Sequence, residues 1–292
     1  MHNFLERVLQ HPQYYRQFNC GKSLITAFSC PAEARLMETR FASLWTQHNY
    51  LFYVIEGHKV WHTANSAYRI GTDSCAFVRK GGFILEQFMD VGFCVMLFFI
   101  PDDFICDTLH TKTKPLTKYE QHFEPVMLIE SNETLKSFFV SMFSYFTETA
   151  EPDGSLLELK FKELILNIAD NAVNTDLLAY FCSLLHEPQT ATLKRVMEDN
   201  FCYNLKLETY AELSNRSLSA FKRDFEKLYH NTPGKWLLDK RLHYAMHLLS
   251  SRNKTVGEAA FESGFESPSH FSRAFKTKFG KVPNAVIRAS KS

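Results

Sequence analysis

The last third of this chain repeats itself at an offset of 50, which limits that stretch to one supersecondary unit used twice. Identities fall at Glu208/Glu258, Glu212/Glu262, Ser217/Ser267, Ser219/Ser269, Phe221/Phe271, Arg223/Arg273, Phe225/Phe275 and Pro233/Pro283. In the second copy, Thr255-Val-Gly-Glu258 is a capping box that opens a short helix, and Gly264 takes the left-handed conformation that ends it. Ser267 then caps a helix from Pro268 to Phe279, with proline at its first position. Phe271 and Phe275, four apart, form its inner face and leave Ser269, His270, Arg273 and Lys276 outside. The first copy follows suit. Ala211 and Leu213 lie in its leading helix, Asn215 stands at the turn and Ser217 is the cap. Phe221, Phe225 and Leu228 point inward there, with Ser219, Lys222, Arg223 and Glu226 outward. A short helix, a tight turn and a second helix with a polar, arginine-bearing face is the helix-turn-helix arrangement. Between the copies, Thr232-Pro233 caps a spacer helix with Leu238, Leu242, Ala245 and Leu249 on its i, i+4 row, ending near Ser250. Its length of roughly 24 Å suits two recognition helices entering successive major grooves on one face of B-DNA.

Charge agrees with this division. Residues 189–292 hold 18 Lys+Arg against 10 Asp+Glu, a net +8, while residues 1–188 hold 15 against 22, a net −7. A basic end domain that meets a polyanion explains the asymmetry; an accident of composition is the alternative. The seven cysteines never fall in a C-x-x-C pair, so neither a disulfide framework nor a zinc site is expected, and a reducing cytoplasm fits best. Met1–Pro12 lacks the apolar stretch of a signal peptide, and the run Phe93 to Ile100 is too short to span a bilayer. No membrane association is expected.

From about Phe41 to Pro101, short runs rich in Val, Ile, Phe, Tyr and Trp are punctuated by Gly57, Gly71, Gly81, Gly82 and Gly92, as in an antiparallel sandwich or barrel. Between about 131 and 185 the period turns helical. Leu135, Phe138, Phe139, Met142, Phe143 and Phe146 form one stripe; Leu157, Phe161, Leu164, Ile165 and Ile168 form another, with Glu151-Pro-Asp-Gly154 between them. A third helix is expected at about 175–185, then a polar linker at 186–190. The fold class expected is therefore multidomain α+β, with a sensor domain at 1–187 and an all-α domain at 188–292.

The stretch from Ala211 to Arg288 resembles the AraC/XylS DNA-binding domain. The likeness rests on Ser217-x-x-x-Phe-x-Arg-x-Phe-x-x-x-Tyr229, Pro233, Arg241-Leu242, Ala245 and Leu248-Leu249. It continues in Ala260, Gly264-Phe265, Ser267, Ser269-His-Phe-Ser-Arg-Ala-Phe-Lys276, Phe279-Gly280 and Pro283, a long spaced pattern covering about a third of the chain. Ala259 and Asn215 depart from it. The resemblance implies a transcriptional activator that partners double-stranded DNA and RNA polymerase and needs no cofactor. It places base reading on Ser219, Lys222 and Arg223 in the first copy and on Pro268, Ser269, His270 and Arg273 in the second. Arginine suits guanine O6/N7, serine a phosphate or base edge, and proline apolar contact alone. Lys222, Lys276 and Lys278 suit phosphate. For each arginine, the alternatives are a solvated face or an internal ion pair.

More briefly, His48 to Phe88 resembles the cupin-like sensor domain of the same family, through Tyr50-Leu-Phe-Tyr-Val-Ile-Glu-Gly57, Tyr68-Arg-Ile-Gly71, Asp73, Ala76-Phe-Val and Gly81-Gly82. His48, His58 and His62 do not form the clustered H-x-H set of a metal-dependent cupin, so no metal is expected and a cupin-class metalloenzyme with an incidental helical tail is the rejected alternative. Phe52, Tyr53, Trp61, Tyr68, Phe77, Phe83 and Phe88 either line a small-molecule pocket or fill a core. A regulatory protein in place of a small effector stays open. Arg40, Arg69, Arg79 and Lys80 either hold an anion or face solvent. The helices at 131–185 either pack on the barrel or join a homodimer.

Overall fold

The computed structural model describes the whole chain except residues 21–23, 31–38, 64–65, 89–91, 117–122, 187–188, 252–253 and 290–292. It divides into two compact units, His2–Glu187 and Pro188–Ser292, the second also taking in Met1. Of the linker expected at 186–190, residues 187 and 188 lie outside the described set.

In chain order the first unit comprises β1 (His2–Asn3), α1 (Phe4–Gln10), β2 (Arg16–Cys20), β3 (Leu24–Ser29), β4 (Phe41–Thr46), β5 (Asn49–Glu56), β6 (His58–His62) and β7 (Ala67–Gly71). There follow β8 (Cys75–Val78), β9 (Gly81–Glu86), β10 (Cys94–Ile100), α2 (Asp102–His110), β11 (Val126–Ile129), α3 (Glu133–Thr147), α4 (Gly154–Asp170) and α5 (Thr175–His186). The strands form two separate sheets, ordered β1-β4-β9-β6-β7 and β11-β8-β5-β10-β3-β2. Pairing is antiparallel except for the short β1–β4 ladder. The expected barrel is thus a pair of open sheets.

Helices α2–α5 supply a further apolar layer, and strand β10 shows why. All seven of its residues are buried, because its two faces serve two cores. Val95, Leu97 and Phe99 join Phe52, Trp61, Phe83 and Leu85 between the sheets. Met96, Phe98 and Ile100 join Phe138, Phe139, Phe161, Leu164 and Phe181 beneath the helices. A strand covered on both sides reads as a continuous apolar run. Helix α3 is capped by the Asn132 side chain, which accepts from Leu135 N at 2.9 Å, and α4 by Asp153, which accepts from Ser155 N at 2.8 Å. Phe143, expected in the core stripe, is exposed, as are Val140, Leu156 and Leu159. Against the expectation of unpaired cysteines, Cys30 and Cys94 are joined as a disulfide. They are 64 residues apart, so only strand pairing brings them together.

The second unit is helical: α6 (Gln189–Asn200), α7 (Leu207–Leu213), α8 (Leu218–Tyr229), α9 (Pro233–Ser251), α10 (Val256–Glu262), α11 (Pro268–Phe279) and α12 (Pro283–Ala289). Helix α9 packs against α8 and also against α10, α11 and α12, so one element braces both copies. No helix among the described residues is long and apolar enough to cross a membrane.

Candidate nucleic-acid interface

Both copies are built by local chemistry. Thr255 accepts from Glu258 N at 3.2 Å while the Glu258 carboxylate accepts from Thr255 N at 2.8 Å, completing the capping box. These bonds hold the Glu258 carboxyl below its ordinary range. Ser217 accepts from Ala220 N at 3.3 Å and Ser267 from His270 N at 3.4 Å, so both second helices carry a serine cap. Asn215 and Gly264 adopt φ of 54° and 83°, and each turn closes with the same bond: Arg216 N to Ala211 O and Phe265 N to Ala260 O, both 2.9 Å.

These bonds correct the repeat. Helices α7 and α10 correspond at an offset of 49, α8 and α11 at 50, because the second turn is one residue longer. The Glu208/Glu258 and Glu212/Glu262 identities are therefore not structural equivalents. Glu258 sits inside a capping box, whereas the helix with Glu208 starts from Lys206, which makes no side-chain cap.

In each second helix the phenylalanines are sealed and the polar face is open. Phe221, Phe225, Phe271 and Phe275 have no exposed surface. Ser219, Lys222 and Arg223 on α8, and Pro268, Ser269, His270, Arg273 and Lys276 on α11, are all exposed. Leu228, expected inside, is 40% exposed, and on α9 Leu238 is 38% exposed while Trp236 and Leu237 take its place in the core.

The cations differ in their partners. Arg223 Nε lies 3.2 Å from Asp224 Oδ1, with its side chain 65% exposed. The other Asp224 oxygen is held at 3.2 Å by Arg216, whose side chain is 6% exposed. The Arg216 hydrogen bond first, and Arg223 with it, hold the Asp224 carboxyl below its ordinary value. Lys278, expected at phosphate, is engaged by Asp239. Arg241, which entered the sequence pattern without a role, has one here. It donates to Phe201 O at 2.6 Å and Tyr203 O at 2.7 Å, fastening the α6–α7 connection to α9.

In the first unit the four cations considered for an anion have other neighbours. Arg40 meets Glu86 at 2.6 Å, Lys80 meets Asp102 at 2.7 Å, Arg69 donates to His58 at 3.0 Å, and Arg79 lies 5.1 Å from the Phe123 ring centroid. Glu86 also binds His62 at 2.8 Å. Burial would raise the Glu86 carboxyl, but its bonds to His62 and Arg40 outweigh that and hold it low. The three histidines considered as ligands therefore sit with separate partners, His48 beside Gln47 at 3.3 Å. Phe52 stacks on Trp61 at 4.4 Å within the sealed core.

The unforeseen group is Lys59. It is 6% exposed, its ammonium lies 4.2 Å from the Phe93 ring centroid, and no carboxylate meets it among the described residues. Burial pushes it down to about 8. It lines a narrow, partly open recess of about 20 Å³, with Phe4, Tyr15, Trp61, Phe93 and Val95 in the walls. The sequence held one signal: period-2 alternation puts Lys59 on the same face as Trp61.

Comparison with known proteins gives two family matches. Residues 49–180 match the ExsA N-terminal regulatory domain, and residues 210–289 match a helix-turn-helix domain. The virulence regulon transcriptional activator VirF of Yersinia enterocolitica is 23% identical over 237 residues, covering 80% of this chain and 87% of that protein. The HTH-type transcriptional regulator ExsA of Pseudomonas aeruginosa is 27% identical over 126 residues, 43% of this chain and 45% of that one. Among solved structures, a ToxT variant from Vibrio cholerae covers 93% of this chain and 99% of its own, with 15% identity and a TM-score of 0.44.

Proposed function

The chain belongs to the AraC/XylS family of transcriptional regulators, and we propose that it activates transcription by setting α8 and α11 into successive major grooves of double-stranded DNA. The observation that carries this reading is the two-sidedness of those helices. Each buries two phenylalanines completely and exposes a serine, an arginine and a lysine. Ser219 and Arg223 read one groove, and Pro268, Ser269, His270 and Arg273 the next, with Lys222 and Lys276 on phosphate. Helix α9, 19 residues and so roughly 28 Å long, is the spacer. Residues 188–292 act as the DNA-binding domain and residues 1–187 as the sensor, with RNA polymerase as the partner in activation.

Arg223→Ala is expected to weaken binding to a selected site by about 1–3 kcal/mol, roughly 5- to 150-fold, and to relax base choice at one position. Lys222→Ala should instead lower the slope of log affinity against log salt by about 1. Fluorescence anisotropy with selected and scrambled duplexes checks both. Equal affinity of wild type and Arg223→Ala for the selected site sinks the assignment.

We place the effector in the recess beside Lys59, because a buried ammonium that meets no carboxylate among the described residues and stands among aromatic walls suits an anion with an apolar body. Val140 on α3 with Leu156 and Leu159 on α4 favour a homodimer through these helices, since each is apolar and lies outside the core. Leu159→Lys, at a side chain 61% exposed, should shift sedimentation from dimer to monomer without lowering the melting temperature. An unchanged sedimentation coefficient removes α4 from the interface.

A further inference from the structure

We propose that Cys30 and Cys94 form a reversible thiol–disulfide site at the rim of the Lys59 recess, oxidised by low-molecular-weight disulfides and reset by the corresponding thiols. Strand register brings the pair together. Ser29 of β3 faces Val95 of β10, so one step further along the ladder Cys30 faces Cys94, and Cys94 in turn pairs with Glu56 of β5. Gly57, at φ 82°, lets the β5–β6 turn approach this end of the sheet: a Cβ there would lie 1.9 Å from Gly92 O. The sulfurs are therefore held as neighbours whether or not they are bonded.

Selectivity follows from exposure. Cys30 is exposed and Cys94 is buried. Cys20, Cys75, Cys182 and Cys202 are buried and outside the disulfide, as is the half-buried Cys106. Burial raises the thiols of Cys20 and Cys75, pushes Cys106 up to about 11 and pushes Cys202 up to about 12, all away from reactivity. A chain in which five cysteines carry no disulfide is adapted to reducing surroundings, where an accessible disulfide exchanges instead of serving as a permanent staple.

The chemistry balances with oxidised glutathione as the oxidant. The Cys30 thiolate attacks one glutathione sulfur, forming a mixed disulfide and expelling a glutathione thiolate. Cys94, after losing its proton to solvent, attacks the Cys30 sulfur and expels the second thiolate. Two cysteine thiols are oxidised, one glutathione disulfide is reduced, and two glutathione molecules leave once the thiolates take up protons. The bond joins residues next to Ser29, Phe93 and Val95, three of the recess walls, so its state alters the entrance to the proposed effector site. The exchange itself does not depend on that reading.

The test uses the full chain. Reduced protein is exposed to oxidised glutathione, denatured and labelled with maleimide. Labels should fall from seven to five, with a peptide linking Cys30 to Cys94, and native dithiothreitol should restore seven. Cys94→Ser should stop at a glutathione adduct on Cys30, whereas Cys30→Ser should leave Cys94 unmodified. Seven labels after oxidised glutathione, or five after native dithiothreitol, overturn the inference. Glu56 completes a set whose ligand atoms lie within 4.8 Å of one another. Protection of both thiols by stoichiometric zinc chloride alone would make the cluster a metal site and also overturn the redox reading.

Discussion

Gly264→Ala is expected to unfold the second helix-turn-helix copy, costing about 3 kcal/mol or more. Two penalties combine. At φ 83° an L side chain is strained, typically by about 1–3 kcal/mol. The new Cβ would also lie 2.7 Å from Cys202 O and 3.0 Å from Cys202 C, both backbone atoms. That backbone cannot withdraw easily, because Arg241 holds the carbonyls on either side of Cys202 at 2.6 and 2.7 Å. Its Nε would be 3.2 Å from the added carbon, so relieving the clash means giving up the clamp. Amide exchange in the full chain should show α10 and α11 losing protection and specific DNA affinity falling with it. The matched control is Asn215→Gly at the equivalent turn, where φ is 54°; a change under about 1 kcal/mol is expected. Unaltered exchange in Gly264→Ala would refute the close approach of the α6–α7 connection.

What the sequence made legible was the chemistry settled within a turn of helix. The Thr255 box, the Ser217 and Ser267 caps and the left-handed Asn215 and Gly264 each depend on neighbours three or four residues away, and all are present. Assignments that needed a distant surface fared worse. Leu228 extends the Phe221–Phe225 stripe but lies in the last turn of α8, and Leu238 is displaced by the buried Trp236 and Leu237, Trp236 standing edge-on to Phe225 of α8 at 5.9 Å. Strand β3 escaped notice because five of its six residues are buried, erasing alternation. Sheet closure and the Cys30–Cys94 pairing depend on which strand edges bond, and no local pattern records that. Lys59 was hidden by its type: a lysine in a strand reads as solvated unless its inward-facing neighbours Trp61 and Ile70 are considered with it.

That lysine carries the other large effect. Its ordinary pKa of 10.5 falls to about 8 on folding, so between those values the unfolded chain binds the extra proton. Stability from this group is present above about 10.5, declines as pH falls, and is gone below about 8. At pH 7 the native state bears the charge at a cost of about 3 kcal/mol. Lys59→Met, which keeps the stem and deletes the charge, is therefore expected to stabilise the first unit at pH 7 by up to about 3 kcal/mol, the advantage vanishing as pH approaches 10.5. Denaturation midpoints of wild type and variant across that window give the comparison, and a gap that does not change with pH would mean that the ammonium is well solvated. The effector proposed for the recess would offset this cost, since Lys59 pairs with no acid among the described residues. An anion seated on Lys59 restores its affinity for a proton, so near pH 8 to 10 wild type should take up a proton on binding effector and Lys59→Met should not, a difference that calorimetry in buffers of unequal ionisation enthalpy resolves.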